Sequence, residues 1–256
     1  MARHLSPKEW KVWLHRWDEQ QEAYLPNRER RFHAMLVAIE ASVGRSPRVL
    51  DLGSGPGSLS LRILQRFPRA RCVAVDYDPV ALRIGQGALG SYRGRLTWVD
   101  AKIGSPDWTD QLPAGKFDAA VSTTALHWLS PTTLQKVYRD LGPLIRLNGV
   151  FVNGDWIPWG SEDPRLRRLT DGIRRIHRRS PVQRAARGAW RRWWKQAAKV
   201  PDLAPSFAEH RRRRAQHPRE QVTPLPGQVR ALRRAGFRTV TVVWQNFEDR
   251  VLFAQR

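Results

Sequence analysis

The sequence predicts an α/β fold in which helices cover both faces of one mostly parallel sheet, a doubly wound arrangement. Residues 48–64 (RVLDLGSGPGSLSLRIL) begin as a buried strand, pass through a glycine turn and continue as an amphipathic helix. Further apolar, strand-like runs begin near residues 71, 95 and 117, and helical segments separate them. With 256 residues, the chain is long enough to bury a sizeable core as a single domain with additions.

Two helices are predicted before the first strand, within residues 1–44. Ser6 and Glu9 form a capping-box pattern, and we expect a helix from there to about Tyr24. A second amphipathic helix follows, with apolar side chains at spacings of three and four, and Gly44 ends it. In a fold of this kind, such helices either cover the substrate or simply pack against the sheet.

The glycine turn is the segment whose spacing implies ligand chemistry. Gly53, Gly55 and Gly57 let the backbone turn sharply and approach a ligand closely, and the following helix offers free N–H groups. These glycines are spaced GxGxG, whereas a dinucleotide site has GxGxxG. Asp51 stands two residues before them, where its charge would repel a pyrophosphate but could pair with the ammonium group of an amino acid. The turn is therefore predicted to cradle a cationic nucleotide-type ligand.

Polar residues follow the later strands at the edge where ligands bind in this architecture. The second strand ends in Asp76, about twenty residues beyond the glycines, where an acid can accept both hydroxyls of a ribose. Asp78 caps the next helix. The third strand, residues 95–103, carries Asp100 near its end, and the fourth leads from Phe117 into a short polar turn. A helix, a fifth strand, an insertion, another helix and two final strands complete the pattern.

The formal net charge of +22 is high, and part of it is concentrated in one region. Residues 161–220 contain 16 arginines, 2 lysines and 6 acidic residues. A polyanionic partner, the base composition of the source genome and heat adaptation each account for such an excess, and the sequence does not separate them.

Composition argues against several other classes of protein. The sequence has no run of 18 apolar residues, and its N-terminus lacks the apolar centre of a signal peptide. We therefore predict a cytoplasmic location and no membrane partner. Cys72, the single cysteine, lies in an apolar strand pattern and is predicted to be a buried, inert thiol. No metal site is predicted.

Two motifs and the end of the chain resemble a known family. The DxGxGxG pattern that begins at Asp51 resembles motif I of the class I S-adenosylmethionine-dependent methyltransferases. Residues 117–129 (FDAAVSTTALHWL) resemble the FDxVxSxxALHW segment of small-molecule methyltransferases of the trans-aconitate type. LRRAGF followed by two β-runs is similar to the ending of that fold. The resemblance covers residues 48–152 and 228–256, and the whole chain looks most like the actinobacterial-type branch of the superfamily.

This resemblance implies a domain organisation and a cofactor. The whole chain, residues 1–256, would be one methyltransferase domain with a Rossmann-like sheet of seven mostly parallel strands. Residues 1–44 would form its N-terminal helices, and residues 161–220 a basic helical lid between strands five and six. The cofactor would be S-adenosylmethionine, with S-adenosylhomocysteine as its product.

The same resemblance assigns roles to individual side chains. Asp51 and the glycines would hold the methionine part of the cofactor, Asp76 its ribose, and Asp100 with Ala101 its adenine. In an alternative alignment Lys102 takes the adenine position, where it cannot accept a hydrogen bond from the base amine. The candidate cofactor-binding residues are Asp51, Gly53, Ser54, Gly55, Gly57, Asp76, Tyr77, Asp100, Ala101, Ser122 and Thr123.

His127 is the candidate catalytic residue. Histidine exchanges a proton readily near neutral pH, so that it suits a general base or an orienting donor. A structural histidine bonded to the backbone is the alternative, and the sequence does not decide between the two. Trp128 and Asp155 are the candidate substrate residues, and Asp155 follows the fifth strand.

The insertion carries aromatic and basic side chains on different helix faces. Trp190, Trp193 and Trp194 recur at spacings of three and four. In a lid that closes over the substrate, these rings would be buried and the run from Arg211 to Arg214 would be solvated. In an RNA-binding surface, the rings would face solvent and the arginines would turn inward. We favour the lid, because the insertion lies where this fold elaborates its substrate site.

Three functions follow from these observations. The leading hypothesis is a methyltransferase that acts on a small-molecule acceptor through an oxygen, nitrogen or carbon atom. The alternatives are an RNA methyltransferase, which makes nucleic acid the alternative partner, and a non-catalytic cofactor-binding protein of the same fold. The sequence fits a monomer or a homodimer equally well.

Overall fold

The computed structural model describes residues 4–25, 27–160, 163–214 and 222–256. In these residues one seven-stranded sheet forms the framework of the molecule. Its strands are β1 (Arg48–Leu52), β2 (Arg71–Asp76), β3 (Leu96–Asp100), β4 (Phe117–Thr123), β5 (Ile145–Trp156), β6 (Thr239–Asn246) and β7 (Asp249–Gln255). The strand order is β3-β2-β1-β4-β5-β7-β6, and β7 runs antiparallel to both of its neighbours whereas the other pairs are parallel. The predicted sheet is confirmed.

Helices connect the strands and cover the sheet. They are α1 (Pro7–Tyr24), α2 (Arg28–Val43), α3 (Ser58–Arg66), α4 (Pro79–Leu89), α5 (Pro131–Leu144), α6 (Pro164–Arg179), α7 (Pro181–Ala197), α8 (Ala204–Arg214) and α9 (Leu225–Arg234). The predicted capping box is present in α1, where Ser6 and Glu9 satisfy each other's backbone N–H groups. Asp78 caps α4 by accepting hydrogen bonds from two of its first N–H groups.

The core consists of one apolar layer on each face of the sheet. Because side chains alternate along a strand, Leu50 of β1 joins the layer that α5 and α9 complete, and Val49 joins the layer under α2 and α3. Burying each large aliphatic side chain contributes roughly 1.5–3 kcal/mol. Cys72 lies in the second layer, so the predicted burial of its thiol is confirmed. Burial raises the pKa of this thiol well above the ordinary value, which disfavours the reactive thiolate.

A third apolar cluster joins the insertion to the N-terminal part of the chain. Trp10 and Trp13 of α1 pack in it with Ile84 of α4, Trp193 of α7 and Phe207 of α8. Helices α6, α7 and α8 thus form the described part of the predicted insertion, whose limits at residues 161 and 220 lie outside the described residues. Among the helices that the structure describes, none combines the length and apolar character needed to cross a bilayer.

The strand order places one edge of the sheet at a topological switch point. From β1 the chain proceeds outward to β2 and β3, and it then returns to the other side of β1 as β4. The carboxyl ends of β1 and β4 therefore lie side by side with connections that diverge above and below the sheet. Ligands bind at this kind of crevice in open α/β sheets.

Candidate active site

The glycine turn lies between β1 and α3 at this crevice. Gly53, Gly55 and Gly57 have φ values of 69°, 55° and 85°, which L side chains rarely adopt. A Cβ atom on Gly53 would collide with the side chain of Ala125, a residue of the turn that follows β4. The glycine turn and the polar turn after β4 therefore pack directly against each other, as their predicted functions require.

Asp51 has a larger pKa shift than Asp76, the other carboxyl group beside the glycine turn. Its side chain is fully buried, and its Oδ2 accepts a hydrogen bond from the hydroxyl of Ser60 in α3 at 2.6 Å. Its Oδ1 is buried without a hydrogen-bond partner in the described part of the chain. Burial, reinforced by the charge of Asp76, raises the pKa of Asp51 to about 7.

Asp76 is held rigidly at the end of β2. Its Oδ2 accepts a hydrogen bond from the N–H of Gly55 at 2.6 Å, and its Oδ1 accepts from the N–H groups of Tyr77 and Asp78, both at 2.7 Å. Burial raises the pKa of Asp76 to about 6, and these three N–H donors oppose the shift. Because a carboxylate has about four acceptor sites and these N–H groups use three, Oδ2 keeps one site for a hydroxyl group of a ligand.

The ends of β2 and β3 bring the adenine-side candidates together. Asp76 and Asp100 are directly opposed in the register of the two strands. Asp100 forms a bidentate ion pair with Arg213 of α8. Ala101 is buried, and its N–H donates to the carbonyl of Asp76 at 3.0 Å, extending the ladder beyond the strand.

His127 and Asp155 form a hydrogen-bonded pair across the ends of β4 and β5. His127 belongs to a 3₁₀ helix, Leu126–Trp128, and its Nδ1 lies 2.7 Å from Oδ1 of Asp155. The backbone N–H of His127 donates to Oδ2 of the same carboxylate at 3.2 Å. Asp155 is buried, and it also accepts from the N–H of Trp156 at 2.8 Å. The partner of the imidazole is thus a fixed carboxylate, which the sequence assigned to substrate.

The remaining candidates at the ends of these strands differ in their surroundings. Ser122 is buried, and its hydroxyl donates to the carbonyl of Leu52 at 2.8 Å, where it ties β4 to β1. The hydroxyl of Thr123 accepts a hydrogen bond from Arg31 of α2 at 3.0 Å. Trp128 is 50% exposed, and its ring centroid lies 5.0 Å from that of His127.

The insertion packs against α1 above the glycine turn. Trp193 is 4% exposed, and its ring centroid lies 5.0 Å from that of Trp17. Cζ2 of Trp17 lies 3.8 Å from the position that a Cβ atom on Gly55 would take. Trp194 is partly buried, whereas Trp190 is 37% exposed.

Within the predicted run from Arg211 to Arg214, the described arginines also differ from one another in exposure. Arg211 and Arg212 are exposed, but Arg213 turns inward to Asp100 because that carboxylate offers it a bidentate partner. The prediction that the whole run is solvated is therefore wrong at Arg213, and the side chain of Arg214 lies outside the description. The buried Trp193 and the exposed Arg211 and Arg212 match what a lid requires, whereas the exposed Trp190 does not.

Comparison with known proteins identifies the family of this segment. Residues 49–149 match a family model described as a methyltransferase domain. This segment is a class I, S-adenosylmethionine-dependent methyltransferase domain. The chain is 31% identical over 138 residues to a malonyl-acyl-carrier-protein O-methyltransferase of Geobacter sulfurreducens, an alignment that covers 54% of this chain and 49% of the relative.

A second relative is similar over a longer segment, and a solved structure shares the fold. The chain is 30% identical over 169 residues to a trans-aconitate 2-methyltransferase of Mycobacterium tuberculosis, which covers 64% of this chain and 55% of the relative. The chain thus spans about half the length of the curated relatives it matches. The magnesium protoporphyrin IX methyltransferase of Synechocystis with bound S-adenosylhomocysteine has the same fold, with a TM-score of 0.55, 15% identity, and coverage of 95% of this chain and 94% of that one.

The glycine crevice fits the methyl donor of this methyltransferase family. The donor carries a sulfonium and an ammonium group, and the unpartnered Oδ1 of Asp51 is a buried acceptor that a cation would satisfy. Oδ2 of Asp76 keeps one acceptor site for a ribose hydroxyl, and the glycines leave no side chain between the backbone and a ligand. The residues present therefore match the chemistry of the donor.

Two arginines near the candidate site residues were not predicted from the sequence. Arg31 is fully buried and joins Asp249 at 2.8 Å to Thr123 at 3.0 Å, beside the candidate substrate residues. A signal existed, because Arg31 lies four residues before Met35 and so occupies the apolar stripe of α2. Arg213 had no such signal, because it stands within a run of four identical residues.

Proposed function

We propose that this methyltransferase domain transfers the methyl group of S-adenosylmethionine to a small-molecule acceptor. Asp51 and the glycine turn hold the methionine part of the donor, and Asp76 holds its ribose. His127 accepts the proton that the acceptor loses. The observation that carries this proposal is the hydrogen-bonded pair of His127 and Asp155. His127 lies two residues after Ala125, the residue at which the polar turn contacts Gly53 of the glycine turn.

The His127–Asp155 pair has the features of a general base. When bound, S-adenosylmethionine supplies an electrophilic methyl group on its sulfonium sulfur. The Asp155 carboxylate fixes the imidazole through Nδ1 and the backbone N–H, and it stabilises the ring when the ring takes up a proton. The half-exposed ring of Trp128 beside His127 offers an apolar wall for an acceptor. Correct placement of acceptor and donor supplies most of the rate.

The packing of the insertion supports a small acceptor over RNA. Stacking of unpaired bases requires accessible aromatic faces. Trp193 is buried against Trp13 and Trp17, and Trp194 packs on Phe207 and His210. One curated relative is also named for trans-aconitate, a small molecule.

Calorimetric titration with S-adenosylmethionine is the first test of the proposal. We expect binding to the wild-type protein and at least a tenfold loss of affinity in Asp76→Ala, because the variant loses a charge-assisted hydrogen bond to the ribose and the carboxylate that fixes the N–H of Gly55. Folded protein that binds no donor, or that binds equally well after Asp76→Ala, would exclude the proposed function.

Turnover is the second test. Release of S-adenosylhomocysteine is measured with a panel of small carboxylic acids, phenols and amines, with His127→Ala as the comparison. We expect turnover with at least one acceptor class and its loss in His127→Ala. Donor binding without turnover on any acceptor would favour the non-catalytic protein of the same fold.

Exposed arginines on α6 and α7 favour one competing function, methylation of RNA. Arg168, Arg175 and Arg191 are among the exposed side chains there. RNA binding through phosphates would fall steeply with salt, since each neutralised phosphate releases counterions. We expect no RNA complex at 150 mM salt; a complex that forms there with submicromolar affinity would make RNA the better substrate.

A further inference from the structure

The last turn of α8 places Arg213 against the ends of β2 and β3. Its Nη1 and Nη2 donate to the two carboxylate oxygens of Asp100 at 2.6 and 2.9 Å, and Nη1 also donates to the carbonyl of Tyr77 at 2.8 Å. The guanidinium lies over the Tyr77 ring, with 4.4 Å between Cζ and the ring centroid. Glu209, one turn earlier, accepts from Nε at 2.6 Å. The hydrogen bonds to Asp100 raise the pKa of the guanidinium above its ordinary value.

These partners are the ones that a nucleobase would use. Asp100 stands directly opposite Asp76 in the strand register, and Tyr77 follows Asp76 in the chain. A nucleoside whose ribose binds Asp76 therefore has its base beside the Tyr77 ring and the Asp100 carboxylate. An aminopurine is flat, stacks on an aromatic face and donates N–H groups from its edge. A guanidinium is also flat, stacks in the same way and donates from its edge to a carboxylate.

We propose that Arg213 fills the nucleobase subsite of the ligand-free protein and that its guanidinium must leave before the nucleoside part of the methyl donor binds. The inference rests on the proposed function. Arg213 and the base make the same contacts with Tyr77 and Asp100, so that both cannot make them at once. Arg213 therefore lowers the apparent affinity for the donor by the fraction of molecules in which the subsite is filled.

The strength of the Arg213 contact suits a gate. The side chain of Asp100 is 48% exposed, so water and salt screen the ion pair, and its exchange for another ligand costs little. α8 itself is anchored elsewhere: Phe207 is buried in the cluster that also contains residues of α1, α4 and α7, its ring packs on Trp194, and Nδ1 of His210 lies 3.1 Å from Oδ2 of Asp78. Removal of the Arg213 side chain leaves these anchors in place.

The test compares Arg213→Ala with Arg212→Ala by calorimetric titration. Arg212 is the matched control, because it lies in the same turn, its side chain is 74% exposed, and it pairs with Glu209. Each variant loses one positive charge. Titrations use S-adenosylmethionine, which is cationic, and adenosine, which is neutral. We expect Arg213→Ala to bind both ligands about 3–10-fold more tightly than wild type, as expected for release of one partly exposed ion pair. We expect Arg212→Ala to match wild type with adenosine.

Each other outcome has a defined meaning. If adenosine binds Arg213→Ala no better than wild type, or less well, Arg213 does not compete with the base and the inference is wrong, although the proposed function stands. If neither the wild-type protein nor Arg213→Ala binds either ligand while thermal unfolding shows both proteins folded, the proposed function and the inference are both wrong. Arg213→Lys keeps the charge but not the flat bidentate group, so we expect its adenosine affinity to approach that of Arg213→Ala.

Discussion

Asp51 accepts a hydrogen bond from Ser60 at 2.6 Å through Oδ2, and its Oδ1 is buried without a hydrogen-bond partner among the described residues. Burial raises the pKa of this carboxyl to about 7. An ionised carboxylate in such surroundings destabilises the free protein and favours a cationic ligand. Residues that bind a ligand often lower the stability of the free protein, because their arrangement suits the ligand rather than the folded chain alone.

Asp51→Asn is expected to stabilise the free protein and abolish binding of S-adenosylmethionine. The pKa of Asp51 is raised from 3.8 to about 7 on folding, so folding must take up a proton between these pH values. The resulting destabilisation grows across this window and is constant above pH 7; the amide removes this cost but leaves an unpaired N–H. We expect a gain of about 1–3 kcal/mol at pH 8 and almost none near pH 3.5, where Asp51 is largely protonated in both the folded and the unfolded chain. Urea unfolding at the two pH values measures the difference. A variant that binds the donor with wild-type affinity would contradict the assignment.

The affinity for S-adenosylmethionine is expected to fall as the pH decreases from 8 to 5. The cationic donor pairs with ionised carboxylates, and protonation removes Asp51 below about pH 7 and Asp76 below about pH 6. The loss should approach tenfold per pH unit below pH 7 and become steeper below pH 6. Calorimetric titration across this range checks the profile, and a flat profile would show that neither carboxyl contacts the donor.

Ser60→Ala is the matched variant for this pH profile. The Ser60 hydroxyl stabilises the ionised form of Asp51, so its removal raises the pKa of Asp51 further. We therefore expect the midpoint of the binding profile to move to higher pH, while affinity at pH 9 stays close to wild type. An unchanged midpoint would place the titrating group elsewhere.

Asp155→Asn is expected to lower kcat about 10–100-fold with little change in the KM for S-adenosylmethionine. The amide no longer stabilises a protonated imidazole and weakens the orientation of His127. Initial rates of S-adenosylhomocysteine formation at saturating donor measure this effect. A raised KM with unchanged kcat would instead assign Asp155 to substrate binding.

Trp193→Ala is expected to destabilise the protein by about 3–5 kcal/mol, because it leaves a cavity between α1 and α7. Trp190→Ala is the control on the same helix; its ring is 37% exposed, so we expect a loss below about 1 kcal/mol. Urea unfolding compares both variants with wild type. Equal effects at the two positions would show that the insertion is not anchored through Trp193.

Local patterns in the sequence predicted the elements and the crevice. The capping box of Ser6 and Glu9 and the glycines after β1 act within a few residues, so their spacing alone specifies local geometry. Alternating strands and helices with right-handed crossovers leave few topologies open. The place of Asp51 and Asp76 at the crevice follows from these rules.

The environments of the side chains could not be derived in this way. The pairing of His127 with Asp155 joins residues 28 positions apart through the β4–β5 register, which the pattern of apolar residues does not specify. Arg31 pairs with Asp249, which is 218 positions away in the sequence. Arginine usually prefers solvent, so the residue type alone offered no reason to expect Arg31 to be buried. The sequence indicated Asp155 as a substrate residue, and it could not show that the carboxylate of Asp155 is hydrogen-bonded to the imidazole of His127.

The sequence by itself determined an α/β chain with a crevice at the ends of its first strands, because helix caps, glycine turns and strand periodicity are short-range properties. Only the tertiary structure decided which of the clustered arginines acts at that crevice. Arg211, Arg212 and Arg213 are chemically identical, and the position of α8 brings Arg213, of these three, to Asp100. That position depends on the packing of Phe207 against Trp194 of α7 within the cluster that also contains residues of α1 and α4, which is a long-range property of the folded chain.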